Sequence, residues 1–308
     1  NFMNNKTKLV VKSNALIEAS FNLSLVEQRV LLLAIVEARE IKNLTPSTAL
    51  EITAKTYNNQ YNVGQAEAYN QLVEASKQLF NRQFSYLDTY KGVNAITVSR
   101  WVKTITYVKT KGTVVLYLSD TVITMISRLE AHFTKYLLDQ VAMLKSQYSI
   151  RFYELFARYL PLGNSKKFEV LELRKLLDIA DNEYKSVAYL KRDVIDKAVN
   201  EINKKTDITV SYEQFKQGRT ITHILFKMKQ KPQPKTVVQS EKPKDLTEKQ
   251  LDMFADRLAQ SEKFQAEYVA DVGATIDQYA QQIKEKLKQP KNVQQWLPHL
   301  KEVGYKTT

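Results

Sequence analysis

The chain has 308 residues, a length that suits two domains with an appendage better than one domain. Its 44% hydrophobic and 26% charged residues, with only 7 Gly and 7 Pro, exclude a low-complexity or loop-dominated chain. The 46 Lys and Arg residues outnumber the 33 Asp and Glu residues, and the net charge of +13 favours a polyanionic partner such as nucleic acid.

Cysteine is absent from the sequence, which excludes disulfides and cysteine-based zinc sites and fits a reducing compartment. No apolar run approaches the roughly 20 residues that a membrane-spanning helix needs. Residues 1–8 lack the apolar stretch of a signal peptide. We therefore expect a cytoplasmic protein with no membrane partner.

The first third of the chain predicts two helices followed by strands. A helix is expected over residues 24–40, because Ser24 and Glu27 have the spacing of a capping box. A second helix is expected over 64–81, with four apolar side chains directed inward: Leu72, Val73, Leu79 and Phe80. Strands are predicted at 83–90, 95–107 and 113–118, the last two joined by a turn at Lys111 and Gly112.

A similar order recurs further along the chain. It begins with a helix over 146–159 that ends before Pro161 and Gly163. The elements predicted next are a strand at 168–170, helices at 171–178 and 186–204, and strands at 208–215 and 220–229 joined by residues 216–219. The doubled pattern of helices and a hairpin predicts an α+β fold of two winged-helix domains, at 8–135 and 136–230.

The remaining residues read as a linker and a helical tail. Residues 231–245 are Pro-rich and lack hydrophobic periodicity, which indicates an extended linker. In the tail, 246–303, Thr247 is a candidate N-cap for a helix over 248–260. A further helix is expected over 264–287, and a last short helix could dock through Trp296, Leu297 and Leu300. The role of the tail stays open.

The helix predicted at 186–204 has the two faces that a DNA recognition helix needs. One arc is apolar and would pack on the core: Val187, Leu190, Val194, Ile195, Ala198, Val199 and Ile202. The opposite face carries donors that can reach base edges: Lys185, Tyr189, Arg192, Asp196 and Asn200. Lys191 falls near the apolar arc and is predicted to contact a phosphate at the rim. An ordinary solvated helix face is the alternative, but the basic turn with Lys216 and Arg219 favours DNA binding.

The corresponding face of the first domain is less basic. Its outward residues are Asn70, Glu74, Lys77, Asn81 and Arg82, with Lys109 and Lys111 on the hairpin. This face could touch DNA weakly, or the domain could serve mainly in self-association. Arg100 and Trp101, within a predicted strand, are expected to pack rather than bind DNA.

Signs of catalysis are missing from the sequence. His132, His223 and His299 are isolated, and there is no His-x-His pair, no His-x-x-Arg box and no P-loop. Carboxylates are scattered along amphipathic helices, where salt-bridged faces are their ordinary role. We therefore predict a protein that is not an enzyme and has no cofactor and no metal site.

Four segments together carry a resemblance that covers roughly residues 8–230. They are VVKSNALIEASFNLSLVEQRVLLLAI (10–35), LKSQYSIRFYELF (144–156), VIDKAVNEINKKTDITVSYE (194–213) and KQGRTITHILFKM (216–228). In this order they resemble the initiator replication (Rep) proteins of theta-replicating, iteron-containing bacterial plasmids. Residues beyond about 232 fall outside the resemblance.

The resemblance implies two winged-helix domains, of which the second provides the main recognition helix. That role carries over to the stretch with Lys191, Arg192 and Lys197, and to Arg219 on the wing. The first domain would give a second DNA contact in monomers and the interface in dimers.

The resemblance also implies the partners. Monomers would bind direct repeats of double-stranded origin DNA to open the origin, and dimers would bind inverted repeats to repress their own gene. Host helicase and the chromosomal initiator would be recruited. A winged-helix transcriptional regulator that opens no origin is the alternative, and a nickase with an unrecognised site is a third hypothesis. Tandem repeats of about 20 base pairs beside the gene would favour the initiator over the regulator.

Overall fold

A computed structural model describes residues 8–127, 132–232, 246–268 and 275–305. The chain divides into two compact units, one up to Lys231 and one from Pro232 onward. Within the described residues, no helix is both long enough and apolar enough to cross a membrane.

The first unit combines helices with four antiparallel sheets. Its helices are α1 (Asn14–Ile17), α2 (Leu25–Arg39), α3 (Ala54–Tyr61), α4 (Gln65–Asn81), α5 (Asp120–Ile126), α6 (Asp139–Ala142), α7 (Gln147–Tyr159), α8 (Val170–Leu176), α9 (Val187–Leu190) and α10 (Asp196–Lys205). Its strands are β1 (Leu9–Ser13), β2 (Leu50–Thr53), β3 (Gln83–Tyr90), β4 (Val93–Arg100), β5 (Val102–Val108), β6 (Thr113–Leu118), β7 (Phe133–Leu137), β8 (Ser165–Glu169), β9 (Ile208–Gln217) and β10 (Thr220–Gln230).

The same architecture occurs twice in this unit. In each copy, a short strand is followed by two helices and a hairpin, and the three strands form one sheet. The strand order is β2-β6-β5 in the first copy and β8-β10-β9 in the second. In both copies the short first strand pairs with the second strand of the hairpin, and a long helix precedes it, α2 or α7. The predicted α+β fold with two winged-helix domains is confirmed.

Local sequence explains why these helices form. Ser24 accepts a hydrogen bond from the backbone N–H of Glu27, and the Glu27 carboxylate accepts one from the backbone N–H of Ser24, so the predicted capping box is present. Helix α3, with strand β2 before it, was not predicted from the sequence. Thr53 caps it, and its buried residues are two tyrosines, Tyr57 and Tyr61, rather than an aliphatic stripe.

One predicted strand and one predicted core residue of the first domain were wrong. The strand predicted at 95–107 is divided at Trp101 into β4, which pairs with β3, and β5, which pairs with β6. The fully buried Trp101 ring packs on Phe84 and Phe21, so the chain changes sheets where its largest side chain enters the core. Phe80, expected to point inward, is exposed near the end of α4.

The long helix of the second domain runs from Val187 to Lys205 through α9, a π-helical segment at Lys191–Ile195, and α10. A regular α-helix was expected here. One extra residue in the turn lets Leu190 as well as both Val194 and Ile195 reach the core.

Helix α7 joins the two domains. Phe152 and Phe156 on this helix pack against Phe226 in the core of the second domain. Another face of the same helix carries a buried ionic cluster that reaches strand β1 of the first domain. Glu154 Oε1 lies 2.6 Å from Lys12 Nζ, and Arg151 Nη1 donates to Glu154 Oε2 at 3.0 Å.

Further hydrogen bonds complete this interdomain cluster. The hydroxyl of Tyr136 on β7 donates to Glu154 Oε1 at 2.6 Å. Arg151 Nη2 donates to the carbonyl oxygens of Ile17 and Ala19 in the first domain and of Leu176 in the second. Buried charges need ion-pair and hydrogen-bond partners, and each of these three charged groups has at least one, although Arg151 Nε is buried without an acceptor among the described residues.

The second unit has its own hydrophobic core of helices. They are α11 (Glu248–Ala259), α12 (Glu262–Glu267), α13 (Ile276–Leu287), α14 (Pro290–Gln295) and α15 (Leu297–Glu302). The predicted N-cap at Thr247 is confirmed by a capping box with Gln250. One continuous helix over 264–287 was wrong, because α12 ends at Glu267 and Thr275 caps a new helix; residues 269–274 lie outside the described residues.

Trp296 and Leu300 are buried in this core, and Leu297 packs against it. Acidic and basic side chains nearly balance over 246–305, so the positive charge of the chain resides mainly in the first unit. Of the predicted linker, 233–245 lies outside the described residues.

Candidate nucleic-acid interface

Helix α8 and the long helix form the helix-turn-helix of the second domain. Arg174, on α8, holds the turn between them, because its guanidinium donates to the carbonyl oxygens of Ala180, Glu183 and Tyr184. The hydroxyl of Ser186 accepts from the backbone N–H of Tyr189 and caps the long helix. The long helix therefore starts from a fixed position.

The two predicted faces of the long helix are present in the structure. The apolar arc is buried or half-buried on the core. The opposite face is exposed and carries Lys185, Tyr189, Arg192, Asp196 and Asn200, with Lys197 also exposed beside it. This exposed face is the largest group of predicted site residues that the structure brings together.

Asp193 organises the centre of that face. Its carboxylate accepts from Arg192 Nε at 3.1 Å and from Arg192 Nη2 at 2.6 Å. Lys197 Nζ lies 3.2 Å from the same carboxylate. The hydrogen bond from Arg192, followed by that from Lys197, lowers the pKa of Asp193, so the carboxylate stays ionised.

Strand β9 braces the helix from the side. Lys191 Nζ donates to Gln214 Oε1 at 2.6 Å and lies over the ring of Tyr212. The Tyr212 hydroxyl in turn donates to Asp196. Lys191 is half-buried, as its place near the apolar arc indicated, and it lies at the rim between helix and hairpin.

The hairpin of the second domain forms a tight wing. Its turn consists of Gly218 and Arg219 alone, because Gln217 pairs with Thr220. Gly218 has φ of 60°, which the first central position of a type II′ turn requires. Arg219 is thereby exposed at the tip, while the exposed Lys216 lies in strand β9 rather than in the turn.

In the first domain, α4 holds the position of the long helix, and the cations on it and directly after it each lie near a carboxylate. Lys77 Nζ lies 4.0 Å from the exposed Glu74. Arg82 Nε donates to Oε1 of the fully buried Glu27 at 2.8 Å, and this hydrogen bond raises the pKa of Arg82. Asn70, Glu74 and Asn81 are exposed on the same helix.

The first-domain wing differs from its helix. Lys109 and Lys111 are exposed on a 3₁₀ turn that closes the β5-β6 hairpin, and Gly112 ends the turn with φ of 56°. Arg100, expected to pack, is exposed and donates to the carbonyl oxygen of Phe80, whereas Trp101 is buried as predicted.

The three histidines do not assemble into a site. His223 Nε2 lies 3.8 Å from Glu169 on the sheet of the second domain, and His299 packs against Phe264 in the second unit. Among the residues that the structure describes, no group of three His, Asp or Glu side chains could hold a metal ion.

Sequence reasoning missed four residues that position the face: Arg174, Asp193, Tyr212 and Gln214. The spacing of Asp193 and Lys197, four residues apart on a helix, is a signal that could have identified their ion pair. The contacts of Arg174, Tyr212 and Gln214 depend on folding and have no comparable pattern in the sequence.

The fold consists of two winged-helix domains, and the long helix and the wing of the second domain present basic side chains to solvent. Residues 9–157 match the family described as Initiator Replication protein, WH1, and residues 169–228 match Initiator Rep protein, WH2. The chain belongs to the initiator replication protein family.

One solved structure agrees with this assignment. A crystal structure of the Pi initiator protein in complex with iteron DNA is 25% identical, with a TM-score of 0.62, over 74% of this chain and 100% of that chain. The WH1 domain of a replication protein isolated from a multiple sclerosis patient is 44% identical over 35% of this chain and 81% of that chain, with a TM-score of 0.31.

Proposed function

We propose that this chain is a plasmid replication initiator that binds the direct repeats of its origin, and that it is not an enzyme. The observation that carries the proposal is the exposed face of the long helix with the Arg219 wing in the second domain. A helix of this kind fits the major groove, and a wing arginine can reach a phosphate or the minor groove. The Pi initiator, which shares the fold, binds iteron DNA.

The proposed DNA site divides between the domains. The main contacts come from the second domain: Lys185, Tyr189, Lys191, Arg192, Lys197, Asn200, Lys216 and Arg219. Weaker contacts come from the first domain: Lys77, Arg82, Lys109 and Lys111. The division rests on the charge balance of the ion pairs: Lys77 and Arg82 each have a carboxylate neighbour of their own, whereas Arg192 and Lys197 share one.

Band-shift titration of a random-sequence duplex library with the wild-type protein, followed by sequencing of the bound fraction, tests the proposal. We expect a selected consensus that occurs as repeats at the plasmid origin. Arg192→Ala and Arg219→Ala should each weaken binding to that consensus, with a loss on the order of 1–3 kcal/mol for a base-reading arginine. Unchanged affinity in both variants would contradict the assignment of the second domain.

The same preparation tests the absence of catalysis. Supercoiled origin DNA incubated with the protein and Mg²⁺ should remain supercoiled. Nicked circles that form only with the protein would show that it is a DNA-processing enzyme.

We further propose that a second copy of the chain docks on the first domain, and that this dimer binds inverted repeats and represses the chain's own gene. The support is the β3-β4 hairpin, a two-stranded sheet with an apolar row of Leu87, Ile96 and Val98 that are 81%, 73% and 59% exposed. Leu87 and Ile96 are direct cross-strand partners. Exposed apolar rows on open strands favour association.

Ile96→Lys should abolish the dimer in light scattering at concentrations where the wild-type protein dimerises. Leu171→Lys, which changes an exposed apolar residue of the second domain in the same way, is the matched control. A dimer that survives Ile96→Lys would place the interface elsewhere. Recruitment of host helicase and of the chromosomal initiator belongs to the same proposal, and pull-down with those two purified proteins tests it.

A further inference from the structure

Asp193 holds Arg192 in one particular orientation. The carboxylate takes the Nε and Nη2 side of the guanidinium, at 3.1 Å and 2.6 Å. The Tyr189 ring lies 5.0 Å from the guanidinium carbon. Arg192 is therefore fixed by a planar pair of hydrogen bonds and by an aromatic face, although its side chain is 67% exposed.

This orientation leaves the other edge of the guanidinium free for a ligand. A guanidinium has five N–H donors, and the contact with Asp193 uses Nε–H and one hydrogen of Nη2. The second Nη2 hydrogen and those on Nη1 point along the end of the side chain. A guanine offers two acceptors, O6 and N7, at the spacing that this end-on pair of donors matches.

The position of Asp193 fits a supporting role rather than a DNA contact. Its side chain is 24% exposed, against 67% for Arg192 and 65% for Lys197. Adjacent residues on a regular α-helix do not face each other. Here the pair lies in the π-helical segment at Lys191–Ile195, and π segments in helices occur frequently at functional sites.

A carboxylate in this position also discriminates against non-specific DNA. On a random duplex, the negative charge of Asp193 offsets part of the attraction of Arg192 and Lys197 for the phosphates, so these two cations contribute less free energy there. At a guanine, Arg192 keeps its hydrogen bonds to Asp193 and adds two hydrogen bonds to the base. The same residue therefore strengthens the specific contact and weakens the non-specific one.

We propose that Asp193 is a positioning residue that sets sequence specificity, because it presents the end of Arg192 to one guanine of each repeat and weakens the attraction of Arg192 and Lys197 for phosphates. The proposal rests on the proposed function and adds the identity of the base that Arg192 reads. It assigns Asp193 no contact with DNA of its own.

The test compares the wild type, Asp193→Asn and Arg192→Ala on the consensus selected by the wild-type protein, on that consensus with each guanine replaced in turn, and on a random duplex. Wild type should prefer one particular guanine by about tenfold or more, and Arg192→Ala should lose that preference. Asp193→Asn should lower the preference at the same base pair to below about threefold, bind the random duplex more tightly, and show a salt slope steeper by about one.

Two controls separate positioning from a structural role. Asp181→Asn, on the exposed turn before the long helix, makes the same change of charge and should leave the guanine preference intact. A double-mutant cycle should show that Asp193→Asn has no further effect on guanine preference once Arg192 is alanine. The Tm of Asp193→Asn should match that of the wild type, because the carboxylate is near the surface.

The outcomes distinguish this inference from the proposed function. If the wild type selects a consensus but Asp193→Asn keeps the full guanine preference, or Arg192→Ala loses none, the role of Asp193 is overturned while the initiator proposal stands. If the wild type selects no consensus at all, the proposed function fails and the inference falls with it.

Discussion

The two winged-helix domains have the same order of strands in their sheets but use their basic residues in different ways. In the first domain, the two cations at the recognition-helix position are tied to carboxylates, one exposed and one fully buried. In the second domain, two exposed cations share the single carboxylate of Asp193 and keep an excess of positive charge. The fold is common to both, whereas the surface chemistry is not.

This difference shows that duplication of a fold need not duplicate its function. The guanidinium of Arg82 stabilises a helix start in the first domain, because Glu27 also forms the capping box of α2. The guanidinium of Arg192 is exposed to solvent. Residue type alone would make Arg82 and Arg192 equally good candidates for DNA binding. Their carboxylate partners distinguish them.

The largest expected effect concerns the contact between the domains. Glu154→Gln leaves Lys12 and Arg151 buried without their carboxylate and should cost about 3–5 kcal/mol of unfolding free energy. Urea unfolding checks this, with Lys227→Gln as the control. That lysine pairs with Glu213 on the exposed surface, and its loss should cost less than about 1 kcal/mol. Equal losses in the two variants would show that the domains do not depend on the buried cluster.

The same cluster predicts acid sensitivity. Burial by itself would raise the pKa of Glu154, but the charges of Lys12 and Arg151 and the hydrogen bonds to the carboxylate outweigh it, and the pKa is lowered from its ordinary 4.5. A carboxyl whose folded pKa is depressed contributes stability above its unfolded pKa and loses it as the pH falls through the folded pKa. Below pH 4.5, the wild type should therefore lose stability more steeply than Glu154→Gln.

An intermediate effect sharpens the contrast between the two arginines. Arg82→Ala should lower the unfolding free energy by about 1–2 kcal/mol, since Glu27 loses a charged hydrogen-bond donor that is itself partly exposed. Its effect on repeat binding, measured with the folded protein, should be smaller than that of Arg192→Ala. Lys77→Ala, whose partner Glu74 is exposed, should change stability by less than about 0.5 kcal/mol. If Arg82→Ala weakened repeat binding as much as Arg192→Ala, the two faces would be used alike.

The smallest effect concerns the first-domain wing. Lys109→Ala and Lys111→Ala should each reduce the slope of log affinity against log salt by about one, because each removes one phosphate contact. The selected consensus should stay the same in both variants. A salt slope identical to that of the wild type would remove this wing from the DNA site.

Sequence reasoning works best where the determining contacts are local. The capping box at Ser24 and the glycine of the second wing were readable because their partners lie within a few residues. Helix α3 was not predicted, because its buried residues are Tyr57 and Tyr61 within an otherwise polar segment. The break at Trp101 was not predicted either, since the residues on both sides favour strands. Only the pairing of β4 with β3 and of β5 with β6 shows that there are two strands.

The predicted site residues illustrate the same limit. Periodicity placed Arg192 and Asn200 on the exposed side of the long helix, because a helix has a fixed repeat. The partner of Arg82 is 55 residues earlier in the chain, and no pattern of spacing connects the two. The π-helical segment could not be predicted from the sequence either, since an apolar arc tolerates one extra residue in a turn.

Helix α7 belongs to the core of one domain and holds the other through Arg151 and Glu154. In this structure, buried contacts of α7 therefore set the position of one domain relative to the other. We therefore predict that the protein recognises the spacing between the DNA segments that its two domains contact. Inserting a few base pairs between the segments that the two domains contact should weaken binding even when every contacted base is kept.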